Sequence, residues 1–126
     1  MALERDGVVY TALSRVTAAA ASRAHQIGGA TKLAWQFWGS DGAATQVDLG
    51  AIEIELQGRI VVKDNIIGGG ETVHTGPWVR IGTLQTAVGG ALVRDVTPIE
   101  VSEVRLNVIS LTLAPATDLI GLIRIS

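Results

Sequence analysis

Residues 47–63 place Ile52, Ile54, Leu56, Ile60 and Val62 on one parity and Glu53, Glu55, Gln57 and Arg59 on the other. In an extended chain successive side chains point to opposite faces, so this spacing predicts a long strand with one face in a core and one in water. A helix would scatter the same residues around its axis. Gly58 falls on the apolar parity, where a missing side chain points to a bulge or a close crossing by another backbone.

The rest of the chain follows the same period. Leu33, Trp35 and Phe37 alternate with Ala34, Gln36 and Trp38 before Gly39-Ser40-Asp41-Gly42, whose Asp-Gly pair suits the positive φ angles of a hairpin turn. Further strands are expected at 8–13, 73–81, 92–96 and 99–113, punctuated by Gly68-Gly69-Gly70, Gly89-Gly90 and Pro98. Val104, Leu106 and Val108 share one parity, then Ile109, Leu111 and Leu113 take the other, which predicts a bulge near Ser110. Residues 119–125 are apolar on both parities until Arg124, as in a strand covered on both faces, either central or at a subunit contact. Val occurs 14 times, Ile 12 and Thr 11, and their restricted χ1 angles favour strands. Residues 14–28 stay open between a short helix, favoured by the alanines, and an extended arm, favoured by Thr17, Ser22 and Gly28-Gly29.

Charge and cysteine content remove several classes of function. Only 17% of the 126 residues are charged and the net charge is −2, with Lys and Arg scattered singly. A nucleic-acid or anionic-membrane binder normally carries a clustered basic surplus, so neither partner is expected. The absence of cysteine excludes disulfides and thiolate metal sites, leaving His25 and His74 as the imidazoles. Acids and a base near the N-terminus interrupt any signal-peptide core, and no apolar run is long enough to span a bilayer as a helix. The chain is expected to be soluble, or soluble once assembled, with apolar surface turned to a partner.

Candidate chemistry is sparse. Gly68-Gly69-Gly70 lacks the Gly-Lys-Ser/Thr ending of a phosphate loop and reads as a strand connection. Asp64, Asn65 and Glu71 offer oxygen ligands but not the spacing of a calcium loop, and no cofactor or metal is expected. No serine sits in a nucleophile elbow, and Glu53 with Glu55 reads as a solvent-facing pair rather than an acid–base pair. The aromatics are more informative. If Val79 and Ile81 point inward, Trp78 and Arg80 point outward with His74, while Trp38 opposes Trp35 and Phe37. An outward Trp beside an Arg fits an interface anchor first and a glycan-stacking platform second. Trp38, His74, Trp78 and Arg80 are therefore the candidate contact residues, and burial in the core stays open for either Trp.

Phe37-Trp38-Gly39-Ser40-Asp41-Gly42 leading into Val47-Asp48-Leu49, with Val104-Arg105-Leu106-Asn107-Val108 and residues 119–125, resembles small β-sandwich virion proteins of tailed bacteriophages. The similarity covers roughly half the chain and is one of hairpin pattern, not of catalytic signature. It implies a capsid decoration (cement) protein without enzymatic activity, on the capsid exterior after assembly in the host cytoplasm. It also implies association as a homotrimer and clamping of the major capsid protein or another virion protein. The long strand at 47–63 and the alanine-rich N-terminal stretch depart from the simplest form of that pattern.

The expected architecture is all-β: an antiparallel β-sandwich or jelly roll of about seven or eight strands with an N-terminal arm or short helix. One domain is expected, with 1–28 as the N-terminal strand and arm or helix and 29–126 as the sandwich. A phage tail or fibre module that binds a receptor or carbohydrate is the alternative function, and a jelly-roll enzyme with an unseen metal or acid pair a third.

Overall fold

Alternation at period two is realised as antiparallel pairing throughout, and no helix forms among the described residues. The computed structural model describes residues 8–28, 32–42, 46–48, 50–66, 70–86, 91–95, 101–114 and 117–126. Its strands are β1 (Val8–Val16), β2 (His25–Gln26), β3 (Leu33–Ser40), β4 (Gln46–Val47), β5 (Gly50–Arg59) and β6 (Val61–Ile66). They continue with β7 (Gly70–Thr75), β8 (Val79–Gln85), β9 (Ala91–Asp95), β10 (Glu103–Leu113) and β11 (Asp118–Ile125).

The first sheet runs β1-β11-β3-β4, with β9 also paired to β3, and the second runs β2-β10-β5-β8. Among the described residues, strands β6 and β7 pair only with each other. The inward parity of the first sheet supplies Leu13, Leu33, Trp35, Phe37, Leu119, Ile123 and Ile125, and that of the second supplies Ile52, Ile54, Leu56, Val104, Leu106 and Val108. All belong to one buried apolar cluster. Gly121 in β11 marks how closely the two sheets approach. A Cβ there would lie 2.9 Å from Leu106 Cδ1 of the second sheet and 3.0 Å from Leu13 Cδ1, so these side chains fill the place a larger residue would take.

Several expectations shift in register. Residues 47–63 are not one strand: the chain pauses between β4 and β5, then leaves the second sheet after Arg59. There Ser102 N–H donates to the Arg59 carbonyl at 2.9 Å, and Val61 N–H donates to Ser102 Oγ at 3.0 Å. Ile60 and Val62 therefore keep the apolar parity but have no opposing sheet among the described residues, and they are 52% and 44% exposed. The stretch 73–81 breaks likewise at Gly76-Pro77-Trp78, where Pro77 offers no N–H to a ladder. Gly58 marks no bulge and no backbone crossing; the side chains of Ile81 and Val101 occupy the space beside it. The β10 irregularity falls between Val108 and Ser110, where Ile109 is the extra residue in the pairing with β5.

Residues 17–24 take an extended course along the edge of β10. Ser22 N–H donates to the Leu106 carbonyl at 2.7 Å, Leu106 N–H to Ser22 Oγ at 3.0 Å, and Val108 N–H to the Ala20 carbonyl at 2.9 Å. Alanine's helical preference amounts to tenths of a kcal/mol per residue and a short isolated helix is marginal in water. Satisfying the open edge of β10 outweighs it. At the end of β1, Arg15 sits at φ 54°, a left-handed conformation that costs a non-glycine residue roughly 1–2 kcal/mol. Its Nε donates to Asp118 Oδ2 at 2.9 Å, tying β1 to β11.

Candidate partner-binding face

The outward parity of the second sheet forms a polar ladder. Register sets Arg59 opposite Glu103, Gln57 opposite Arg105 and Glu55 opposite Asn107. Each pair is bonded across the strands: Arg59 Nε to Glu103 Oε1 at 2.8 Å, Arg105 Nε to Gln57 Oε1 at 2.7 Å, and Asn107 Nδ2 to Glu55 Oε1 at 3.1 Å. Gln57 Nε2 also donates to Glu55 Oε1 at 2.8 Å, so one amide joins two rungs. From β8, which pairs with the other edge of β5, Arg80 Nε donates to Glu55 Oε2.

Glu55 is thereby 6% exposed, and is not the solvated half of a Glu53–Glu55 pair. Burial alone would raise its carboxyl pKa. The hydrogen bonds from Arg80 and Asn107, the Arg80 charge and the Gln57 bond outweigh that and lower it below the usual value. Arg105 is shifted down by burial first and by the neighbouring Arg59 second, with Glu55 acting in the opposite sense.

Trp78 lies at the Arg59 end of this ladder because Val79 pairs with Gly58, the residue before Arg59. The guanidinium carbons of Arg59 and Arg105 stand 4.2 and 4.4 Å from its ring centroid. Both are within cation–π range, and the half-buried indole is held by the same two arginines that make the ladder. A recess of about 510 Å³ adjoins the last rung, lined by Gln26, Gly28, Val61, Val101, Ser102 and Glu103.

The four residues marked by the sequence do not converge. Trp78 and Arg80 share the outer face of the second sheet and meet the same network. Trp38 is half-buried on the first sheet, on the parity opposite Trp35 and Phe37, and pairs with Ile120. His74 lies on β7 opposite Val62, exposed on the separate hairpin. Arg59, Arg105, Gln57 and Glu55 complete the Trp78 site although the sequence did not single them out for it. Their shared parities were visible, but the β5–β10 register that sets them side by side was not.

Other candidates gather less. Among the described residues no group of three or more metal-ligating side chains comes together. Asn65 pairs with Glu71 and Asp64 with Thr72 along the β6–β7 ladder. Gly68, Gly69, Gly89, Gly90 and Pro98 lie outside the described residues. His25 points into the core, stacked on Tyr10 at 4.6 Å between centroids, with its Nε2 unbonded among the described residues. Burial, then the Arg23 charge, lowers its pKa.

No family model, no curated protein and no solved structure matches this chain.

Proposed function

We propose that the chain is a structural virion protein, a capsid decoration (cement) protein in which the two sheets pack as a β-sandwich. It acts through contact and carries out no reaction. The observation that carries the contact role is the Trp78 assembly: a large aromatic held by Arg59 and Arg105 on the outer face of the second sheet. Trp and Arg dominate interface hot spots, and an anchor already held in place loses little side-chain freedom on docking. The virion setting rests on the resemblance of the aromatic hairpin at 37–49 and the strands at 104–108 and 119–125 to phage sandwich proteins.

In this reading the protein is a homotrimer on the capsid exterior and binds the major capsid protein or another virion protein. The β6–β7 hairpin suits a subunit contact, since its exposed Val62 and Val73 lie on opposite faces of the pair. A hairpin of two strands gains little from burial by itself.

A tail or fibre module for glycans is the second reading, favoured by Trp78 and Arg80 sharing one face. The guanidinium over the ring competes with a sugar for that position, and Trp38 and His74 stand on other elements.

Quantitative mass spectrometry of particles purified from cells carrying the gene tests the virion role. The expected result is a copy number of the same order as the major capsid protein; absence from the particles overturns it. Light scattering of the purified chain is expected to give three times 13.2 kDa. A strict monomer that binds no particle component argues against the cement role.

A further inference from the structure

The arginines of the second sheet are not equally compensated. Arg59 is paired with Glu103 and Arg80 with Glu55, whereas Arg105 donates its Nε to the neutral Gln57 and forms no ion pair among the described residues. It stands close enough to Arg59 to feel its charge, and both guanidinium groups lie over Trp78. A guanidinium carries five N–H donors in a planar fork, of which the bond to Gln57 uses the Nε one. Those donors match the two oxygens of a carboxylate.

We propose that Arg105, with Arg59 beside it over Trp78, is a docking point for a carboxylate side chain on a protein partner, the carboxylate meeting the guanidinium N–H groups while an adjoining apolar group enters the recess beside Glu103. This rests on the reading of the chain as a contact protein and names the chemistry of its partner. Charge complementarity supports an acidic segment: the bonded ladder sets three arginines, Arg59, Arg80 and Arg105, against two carboxylates, Glu103 and Glu55, each of which already has its own arginine partner. The recess beside Glu103, with Val61 and Val101 in its wall, gives a neighbouring apolar side chain of the same segment a seat. A net charge of −2 provides no long-range attraction for an acidic partner, so recognition depends on these short-range contacts.

The probe is a short blocked peptide alternating Glu and Leu, titrated into the full chain while the Trp78 indole and arginine side-chain resonances are followed by NMR. Saturable shifts at Trp78, Arg59 and Arg105 are expected, with binding weakened roughly tenfold or more in R105Q. R105K, which keeps the charge but lacks the planar fork, is expected to recover only a minor part and serves as the readout if R105Q fails to fold. Equal affinity in wild type and R105K, together with an unchanged R105Q where that variant folds, overturns the proposal. So does failure of the peptide to bind while a heparin oligosaccharide or a neutral glucan shifts the Trp78 resonance. Particle analysis separates the two levels: a chain found in virions but indifferent to Arg105 substitution refutes only this docking point, whereas Arg105-dependent peptide binding by a chain absent from particles refutes only the virion setting.

Discussion

The outer faces of the two sheets are built from strands of the same kind and end up chemically opposite. On the first sheet Trp38 pairs with Ile120 and Gln36 with Leu122; Trp38, Ile120 and Leu122 are apolar and half-buried, with Gln36 and Arg124 exposed beside them. On the second, β5 and β10 pair Glu55 with Asn107, Gln57 with Arg105 and Arg59 with Glu103, and the face is a bonded ladder. A tryptophan stands on each. Trp78 is gripped by two arginines, whereas Trp38 stands opposite the aliphatic Ile120. An outward Trp therefore means different things on the two faces: one belongs to a polar network with directional bonds, the other to a surface whose stabilisation scales with area removed from water.

Substitutions on the two sides of β3 should differ most. Phe37 is fully buried in the apolar cluster, and F37A is expected to cost about 3–5 kcal/mol of unfolding free energy. W38A, one residue along, is expected to cost clearly less, because its face keeps access to water in the isolated chain. Urea unfolding of both variants checks this, and equal losses would show that the outer face of the first sheet is as tightly packed as the core.

Next in size is the polar ladder. E55A removes the acceptor shared by Arg80, Gln57 and Asn107, and is expected to destabilise by roughly 1–3 kcal/mol through the groups it leaves unbonded. A loss within about 0.5 kcal/mol, the range of ordinary surface substitutions, would reduce the ladder to a solvated face.

The smallest effects are in pH dependence, with two windows. His25 has a folded pKa below its ordinary 6.5, so its contribution is complete above 6.5 and is lost as the pH falls from there through the folded value. Glu55, also lowered, contributes fully above its ordinary 4.5 and loses that contribution at lower pH, as its folded value is crossed. Urea midpoints measured against pH are expected to decline first in the His25 window and again in the Glu55 window. H25F should flatten the first and E55Q the second; a wild-type profile level between pH 7 and 5 would contradict the role given to His25.

Much of the strand pattern was legible because parity is a local property. The inward positions of β3, β5 and the first half of β10 can be read directly, as can the slip before Ser110 that turns Leu111 toward the core side opposite Ile52. Ile60 and Val62 show the limit of such reading. Their parity continues that of Leu56, but the bonds of Ser102 to Arg59 and Val61 carry the chain away from the sheet that would have covered them. Glu55 shows the reverse error, a charged residue on a wet parity that neighbouring strands enclose.

Alternation and β-branched content, both properties of residue order, dictate an all-β chain with side chains sorted between inward and outward faces, and the lack of cysteine removes thiol chemistry. Which outward residues meet depends on strand pairing across the fold. Arg59 and Arg105 are separated by a long stretch of chain and Trp78 lies between them in order, yet the β5–β10 register and the β8 pairing bring all three together. Alternation depends on each residue's own backbone geometry, whereas register depends on which strands find each other.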